Sequence, residues 1–478
     1  MTKPLLTTLA LAAMLAVTGC ASLEPTLPAA DAGIPQAWPL PPSTAAHGSV
    51  SAPLADAVSE AAADIGWRDF FADPKLVQLI ARALDNNRDL RVAVLNVERA
   101  RSQYRIQRAN QLPSLGANAT VTRSGDAPQA IPTYSASLGV AAFELDLFGR
   151  VRNLSQAALQ QYFSQEEARR SAQLSLVAEI ANAYLTLGAD QELQRVAQAT
   201  LANRQQALGL SEQRHKLGAV SALDLSQAQT ALETARSDVA RYAGQVAQDV
   251  NALALLVGAP VEAALLPSGL ELQVSGLAAL PAGLPAEVLL RRPDVLQAEH
   301  QLRAANANIG AARAAFFPSI NLTGNLGSAS NELSNLFSSG TRIWSFIPQV
   351  NLPIFQGGRL RANLGLSTAE RDIALAQYEK AIQAGFRDVA DALALTRTLA
   401  EQKAAQQALL AAATRADQLS RARYEAGRDS YLVLLDAQRT LYAAQQSLVA
   451  TQLAEQSNRV ALYKVLGGGW NERSGESK

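Results

Sequence analysis

Proline is absent between Pro132 and Pro260, and again after Pro353. A proline inside a helix removes a backbone donor and clashes with the preceding turn. Long uninterrupted helices are therefore confined to those two windows, and no other feature limits the fold so strongly. Each window holds one copy of a repeated stretch. The first copy runs Arg214-His215-Lys216-Leu217-Gly218-Ala219-Val220-Ser221-Ala222-Leu223-Asp224-Leu225. The second runs Arg423-Tyr424-Glu425-Ala426-Gly427-Arg428-Asp429-Ser430-Tyr431-Leu432-Val433-Leu434. Arg, Gly, Ser and two Leu recur at the same offsets, and the match continues through Ala228-Gln229 with Ala437-Gln438. Glycine supplies the left-handed backbone that closes a helix, and Ser221 or Ser430 can cap the next one. Each copy is predicted to be a tight turn between two long helices.

The first arm, from about Val151 to His215, reads as a helix on the order of 90 Å long at ~1.5 Å per residue. Leu174, Val177, Ala181 and Tyr184 step by three, four and three. This is a thin coiled-coil seam with Gln, Arg and Ala outside it. Aromatic residues make up 5% of the chain, which suits long helices better than an aromatic-rich core. One such hairpin buries too little surface to stand alone, so it needs neighbours.

Four short segments follow a period of two. Leu115, Ala117, Ala119 and Val121 alternate with small or polar residues, as do Tyr134, Ala136, Leu138 and Val140. Ile320, Leu322 and Leu326 form a third set, and Trp344, Phe346, Val350 and Leu352 a fourth. Period two marks strands with one apolar and one polar face. They form two expected hairpins, 115–143 and 319–352. Strands of about ten residues suit a transmembrane barrel, apolar outside and wet inside. A soluble sheet packed on a core is the alternative.

The body is duplicated. Asp89, Ala93, Ala100, Arg108, Pro113 and Ser114 match Asp294, Ala298, Ala305, Arg313, Pro318 and Ser319. The expected organisation is a leader (1–19), a proline-rich linker (20–66), a first repeat (67–260), an inter-repeat segment (261–290), a second repeat (291–470) and a tail (471–478). A short helix is expected near Pro285 to Leu290. The leader carries Lys3, the apolar run Leu5 to Val17 and then Thr18-Gly19-Cys20. It is too short for a spanning helix and resembles a lipoprotein export signal. That resemblance implies cleavage before Cys20 and acylation of its thiol and new amino group. An ordinary signal with an unrelated cysteine is the alternative. Ala21, rather than Asp, follows the cysteine, which by analogy with lipoprotein sorting permits transfer to the outer membrane. Cys20 is the chain's one cysteine, so no intrachain disulfide is expected.

Four strands cannot close a barrel, and an open edge in lipid leaves costly unpaired backbone groups. Three copies give twelve strands, within the known range, whereas two give a barrel too narrow for an open channel. The expected fold is therefore an α+β membrane protein. Its trimeric twelve-stranded barrel continues into a twelve-helix periplasmic α-barrel. Lys plus Arg equals Asp plus Glu, 42 each, which gives no support for nucleic acid as a partner. His47, His215 and His300 are far apart and form no HExxH or Cys/His cluster. Gly357-Gly358 and Gly467-Gly468-Gly469 lack a phosphate loop's context and read as helix ends. No catalytic residues, metal site or cofactor is expected beyond the lipid on Cys20.

Several motifs resemble the outer membrane factors, the TolC-like exit ducts of tripartite efflux pumps, in their lipoprotein (NodT-type) branch. They are Trp67-Arg68-Asp69-Phe70-Phe71, Asn86-Asn87-Arg88-Asp89-Leu90, Arg291-Arg292-Pro293-Asp294-Val295, Phe316-Phe317-Pro318, Leu434-Leu435-Asp436-Ala437-Gln438 and Leu462 through Trp470. The resemblance implies a homotrimer in the outer membrane that extends into the periplasm. It also implies a periplasmic adaptor and an inner membrane transporter, most often of the resistance-nodulation-division class. The expected cargo is drugs or small toxic compounds. Export of a protein or peptide, or a pore-less scaffold, are the rivals. A periplasmic gate is expected at the turns, built on Asp429 and Tyr431, with Arg428 or a neighbour able to bridge the acid. Helix capping is an alternative role for Asp429. Gly218, Ala219, Val220 and Ser221, with Gly427 and Ser430, are the expected adaptor-docking tips, and turn geometry alone is their simpler role.

Overall fold

The computed structural model describes residues 23–35, 65–125, 130–270, 286–468 and 471–473. The leader with Cys20, most of the proline-rich linker, part of the inter-repeat segment and Trp470 lie outside the described residues. In chain order the elements are α1 (Trp67–Phe70), α2 (Pro74–Asn86), α3 (Arg88–Ala109), β1 (Leu115–Ser124), β2 (Ile131–Leu145), α4 (Arg150–Lys216) and α5 (Ala222–Val257). Then follow α6 (Pro293–Ala314), β3 (Ser319–Ser330), β4 (Arg342–Asn351), α7 (Arg359–Glu425) and α8 (Tyr431–Val465). Each half thus runs helix, hairpin, long helix, turn, long helix. The short helix near Pro285 is a 3-10 segment, Ala286–Arg291.

Helices α4 and α7 have 67 residues each, about 100 Å at ~1.5 Å per residue. Both start directly after left-handed glycines, Gly149 and the pair Gly357-Gly358. The chain forms two compact units, and each takes segments from both repeats. Unit boundaries fall inside α3, α4, α6 and α7.

Among the described residues the first unit takes 23–32, 95–125, 130–167 and 296–381. Its sheet has the order β1-β2-β3-β4, antiparallel throughout. The two hairpins therefore join through β2 and β3, leaving β1 and β4 as edges. Apolar side chains stay exposed on this sheet, among them Leu115 at 74%, Trp344 at 76% and Val350 at 63%. The β2 register slips between Val140 and Phe143. Ala142 takes a positive φ of 49° there and donates its N–H to Thr323 Oγ1 at 3.1 Å. At the sheet's base Phe148 stacks on Phe317 at 4.7 Å.

Among the described residues the second unit takes 33–35, 65–94, 168–270, 286–295, 382–468 and 471–473. Its core gathers Trp67, Phe70, Phe71, Leu79, Ile80, Val177, Ala181, Tyr184, Leu253, Val460 and Tyr463. Phe70 stacks on Tyr463 at 3.8 Å, and Tyr463 Oη donates to Ile65 O at 2.7 Å. Asp73 caps α2 through the N–H of Lys75 and also accepts from Tyr184 Oη at 2.8 Å. The seam of Leu174, Val177, Ala181 and Tyr184 is buried in full. Apolar burial of this kind contributes about 25 cal/mol per Å², and it locks the long helices to the short ones.

Candidate functional site

The two turns of the second unit share a backbone design. Gly218 and Gly427 are left-handed, with φ of 71° and 67°. Their N–H groups donate to His215 O and Tyr424 O, and the next N–H groups donate to Arg214 O and Arg423 O. These bonds satisfy the carbonyls that a helix leaves unpaired at its C-terminus. A Cβ on either glycine meets nothing within 4 Å. Backbone conformation, not crowding, therefore requires glycine there.

The side chains divide the two turns. In the first, Ser221 and Asp224 form a reciprocal capping box on α5, and His215 Nδ1 lies 3.0 Å from Val220 O. In the second, Ser430 occupies the cap position of α8, yet its side chain makes no capping bond. Asp429 instead accepts from Arg423 Nε at 2.6 Å and Nη2 at 2.8 Å. That paired guanidinium holds the Asp429 carboxyl below the usual carboxylate range.

The hairpins are tied to each other just behind the turns. Arg214 donates to Tyr424 O at 3.1 Å and Glu425 O at 3.0 Å, the last carbonyls of α7. Its guanidinium also lies 4.6 Å from the Tyr424 ring centre, a favourable cation–π placement. Tyr424 Oη and Ser211 Oγ are 3.2 Å apart. Beneath them Tyr424, Tyr431, Leu434 and Leu435 pack on Ala207, Ala228 and Ala231. Deeper still, Arg204 is 5% exposed and donates to Gln438 Oε1 at 2.5 Å. A charge at a helix C-terminus and a buried, bonded guanidinium together fix the relative position of the two hairpins.

The model of the outer membrane efflux protein family matches residues 79–259 and 284–468. The chain belongs to this family. The antibiotic efflux pump outer membrane protein ArpC of Pseudomonas putida is 47% identical over 485 aligned positions, covering 100% of this chain and 98% of its own. The toluene efflux pump outer membrane protein TtgC of the same species matches to the same extent. The open-state outer membrane channel MtrE of Neisseria gonorrhoeae superposes with a TM-score of 0.84 at 40% identity, covering 95% of this chain and all of its own. The chain is thus an α+β outer membrane channel component of an efflux system, and not an enzyme.

In this outer membrane efflux protein the structure departs from expectation at Tyr431 and at the cap of α8. Tyr431 is not a projecting side chain: its ring is 2% exposed and lies 5.8 Å from Tyr424. The turn spacing puts it just after Ser430, and its burial comes from Tyr424 and from Ala207, Ala228 and Ala231 of the other hairpin. Of the two bridges expected for Asp429, the structure has the neighbour, Arg423, while Arg428 is exposed. Neither Asp429 nor Ser430 caps α8 through its side chain. Gly218, Ala219, Ser221, Gly427 and Ser430 are exposed and Val220 half-buried. Leu217 and Leu223 flank the first turn at 83% and 66% exposure. Arg214, Ser211 and Tyr424 join the site only in the folded protein, and the sequence marks just the first, by an arginine at the same offset in both copies. Among the described residues no His, Cys, Asp or Glu cluster is arranged to hold a metal. His300 is a packed side chain on α6, 2.7 Å from Gln160 and tilted against Phe163.

Proposed function

We propose that three copies close their sheets into one twelve-stranded barrel and conduct drugs or small toxic compounds out of the cell. The observation that carries this is the four-stranded sheet with both edges, β1 and β4, unpaired and its apolar face exposed. Unpaired edges in lipid cost several kcal/mol per backbone group, and copies of the same sheet relieve that cost. The names of the relatives, antibiotic and toluene pumps, support small compounds as cargo. Energy comes from an inner membrane transporter, of the resistance-nodulation-division class, joined through a periplasmic adaptor. The adaptor docks on Gly218, Ala219, Val220 and Ser221 and on Gly427 and Ser430, with exposed Leu217 and Leu223 adding apolar contact. Opening splays the tips, with Asp429 as a three-fold acidic ring.

Cys20 carries the lipid anchor in this reading. The chain just after it is tied to α6. Arg313 donates to Leu23 O at 3.3 Å, and Asn306 donates to Pro25 O at 2.8 Å. Arg313 lies at the end of α6 that leads into β3, so residues 23–25 run beside α6 near the sheet's base. Planar-bilayer recording of the purified protein tests the duct: a folded assembly without conductance overturns it. Expression in a pump-deleted host with the adaptor and transporter tests the cargo: unchanged sensitivity to antibiotics and solvents removes small compounds as substrates.

A further inference from the structure

The pairing registers sort every strand residue onto one of two faces. Leu115, Ala117, Ala119 and Val121 of β1 stand opposite Val140, Leu138, Ala136 and Tyr134 of β2. Those residues stand opposite Gly324, Leu326, Ser328 and Ser330 of β3. Leu326, Gly324, Leu322 and Ile320 in turn face Trp344, Phe346, Pro348 and Val350 of β4. This is the apolar, lipid-directed face. Two charged residues lie on it. Arg123 continues the β1 series beyond Val121, and Arg342 opens the β4 series before Trp344.

Both arginines sit at the same end of the sheet, the end away from α4 and α7. Both are exposed, and neither has a partner among the described residues. No acidic residue shares their face within the strands, and the opposite end of that face carries Leu115, Leu145, Ile320 and Val350 with no charge. Trp344 and Tyr134 lie one step inward of them on the same face. Tyrosine and tryptophan settle at the boundary between hydrocarbon and headgroups. The arginines are thereby set at headgroup level in the outer leaflet, which in an outer membrane is built of phosphorylated lipid A. A guanidinium recognises phosphate through paired hydrogen bonds.

We propose that Arg123 and Arg342 form a binding site for the phosphate groups of lipid A. The site rests on the barrel reading: Arg123 lies on edge strand β1 and Arg342 on edge strand β4. Closing three sheets brings β4 of one copy beside β1 of the next, so one arginine from each copy meets at every seam. The bound lipid bridges neighbouring copies where they join.

The test uses the full-length assembly in detergent, titrated with diphosphoryl lipid A, with enzymatically dephosphorylated lipid A and with inorganic pyrophosphate. The native protein binds the diphosphoryl lipid best. Combined Arg123→Gln and Arg342→Gln weakens that binding about 25-fold, at about fivefold per arginine against an anionic headgroup, and leaves the dephosphorylated lipid unaffected. Equal affinity of the two proteins for diphosphoryl lipid A overturns the site, as does equal loss for both lipids. Pyrophosphate competing as well as the lipid overturns the lipid assignment. Should the glutamine protein fail to assemble, Arg123→Lys with Arg342→Lys keeps the charge; binding that does not fall with rising salt in that protein overturns the site. Conductance is recorded on the same samples. A conducting native assembly that ignores lipid A phosphate refutes this site alone, whereas a silent one refutes the barrel reading.

Discussion

Asp429 is clasped by Arg423 across the second turn, while Arg214, the equivalent arginine of the first turn, reaches over to the carbonyls of Tyr424 and Glu425. The difference follows from one position. Val220 stands where the second copy has Asp429, so Arg214 finds no carboxylate in its own turn and pairs with the end of α7.

The exposed Arg423–Asp429 pair sets the charge at the second tip. Asp429 has a depressed pKa in the folded protein. The pair is therefore intact above the usual carboxylate range and is lost only as pH falls through the depressed value. Asp429→Ala is expected to raise conductance or lower cation preference in planar bilayers. Arg423→Ala leaves the carboxylate uncovered and is expected to raise cation preference. Reversal potentials identical to the native channel in both variants remove Asp429 from the gate.

The two cap serines are expected to differ in worth. Ser221 accepts the N–H of Asp224 at 3.1 Å, whereas Ser430 makes no such bond. Ser221→Ala costs about 1 kcal/mol, and Ser430→Ala costs close to nothing. Denaturant titration of the detergent-solubilised protein reads both. A larger loss at Ser430 reverses the assignment.

Asp249 of α5 lies against Asp190 of α4, and burial together with that carboxylate pushes it up to about 6. Its protonated form is the one the fold favours. The contribution is present in full below the ordinary aspartate range and is lost as pH rises from about 4 through about 6. Asp249→Asn is expected to raise the melting temperature above pH 6 and to flatten its decline between those limits. A variant that melts like the native protein at pH 7.5 argues against the strained pair.

The bulge at Ala142 governs which face carries Glu144. Val140 lies on the apolar face, and beyond the slip Phe143 and Leu145 take that face opposite Leu322 and Ile320. Glu144 then stands opposite Asn321 on the polar face, where it is salt-bridged to Arg150 at 2.8 and 2.5 Å. Deleting Ala142 removes only the surplus residue and keeps Glu144 on the polar face, whereas deleting Ala141 and Ala142 together turns Glu144 toward lipid. The expected result on unheated gels is heat-resistant assemblies for the single deletion and their loss for the double deletion. Ala142→Gly relieves the positive φ and is expected to assemble at least as well; failure of the glycine variant means the methyl group is needed for packing.

Much of this architecture was legible in the chain. Period two located all four strands, and the proline-free windows located α4, α5, α7 and α8 to within a few residues. Glycine and serine spacing placed both turns. These signals are local: backbone dihedrals and side-chain periodicity act over a few residues, so they are written in the sequence directly. The bulge was not legible, because an extra residue matters only against a partner strand whose register is fixed elsewhere. The expected hairpin ends at residue 143, whereas β2 runs on to Leu145.

The sequence by itself determined the kinds of element, their order, the duplication and the left-handed turns. Only the tertiary structure decided that β2 pairs with β3 to make one sheet. It alone buried Tyr431 against Tyr424 and the alanines of the first hairpin. It alone gave two equivalent arginines different partners. Each of these outcomes rests on contacts between residues far apart in the chain, where packing and charge pairing select among arrangements that local propensity leaves equal.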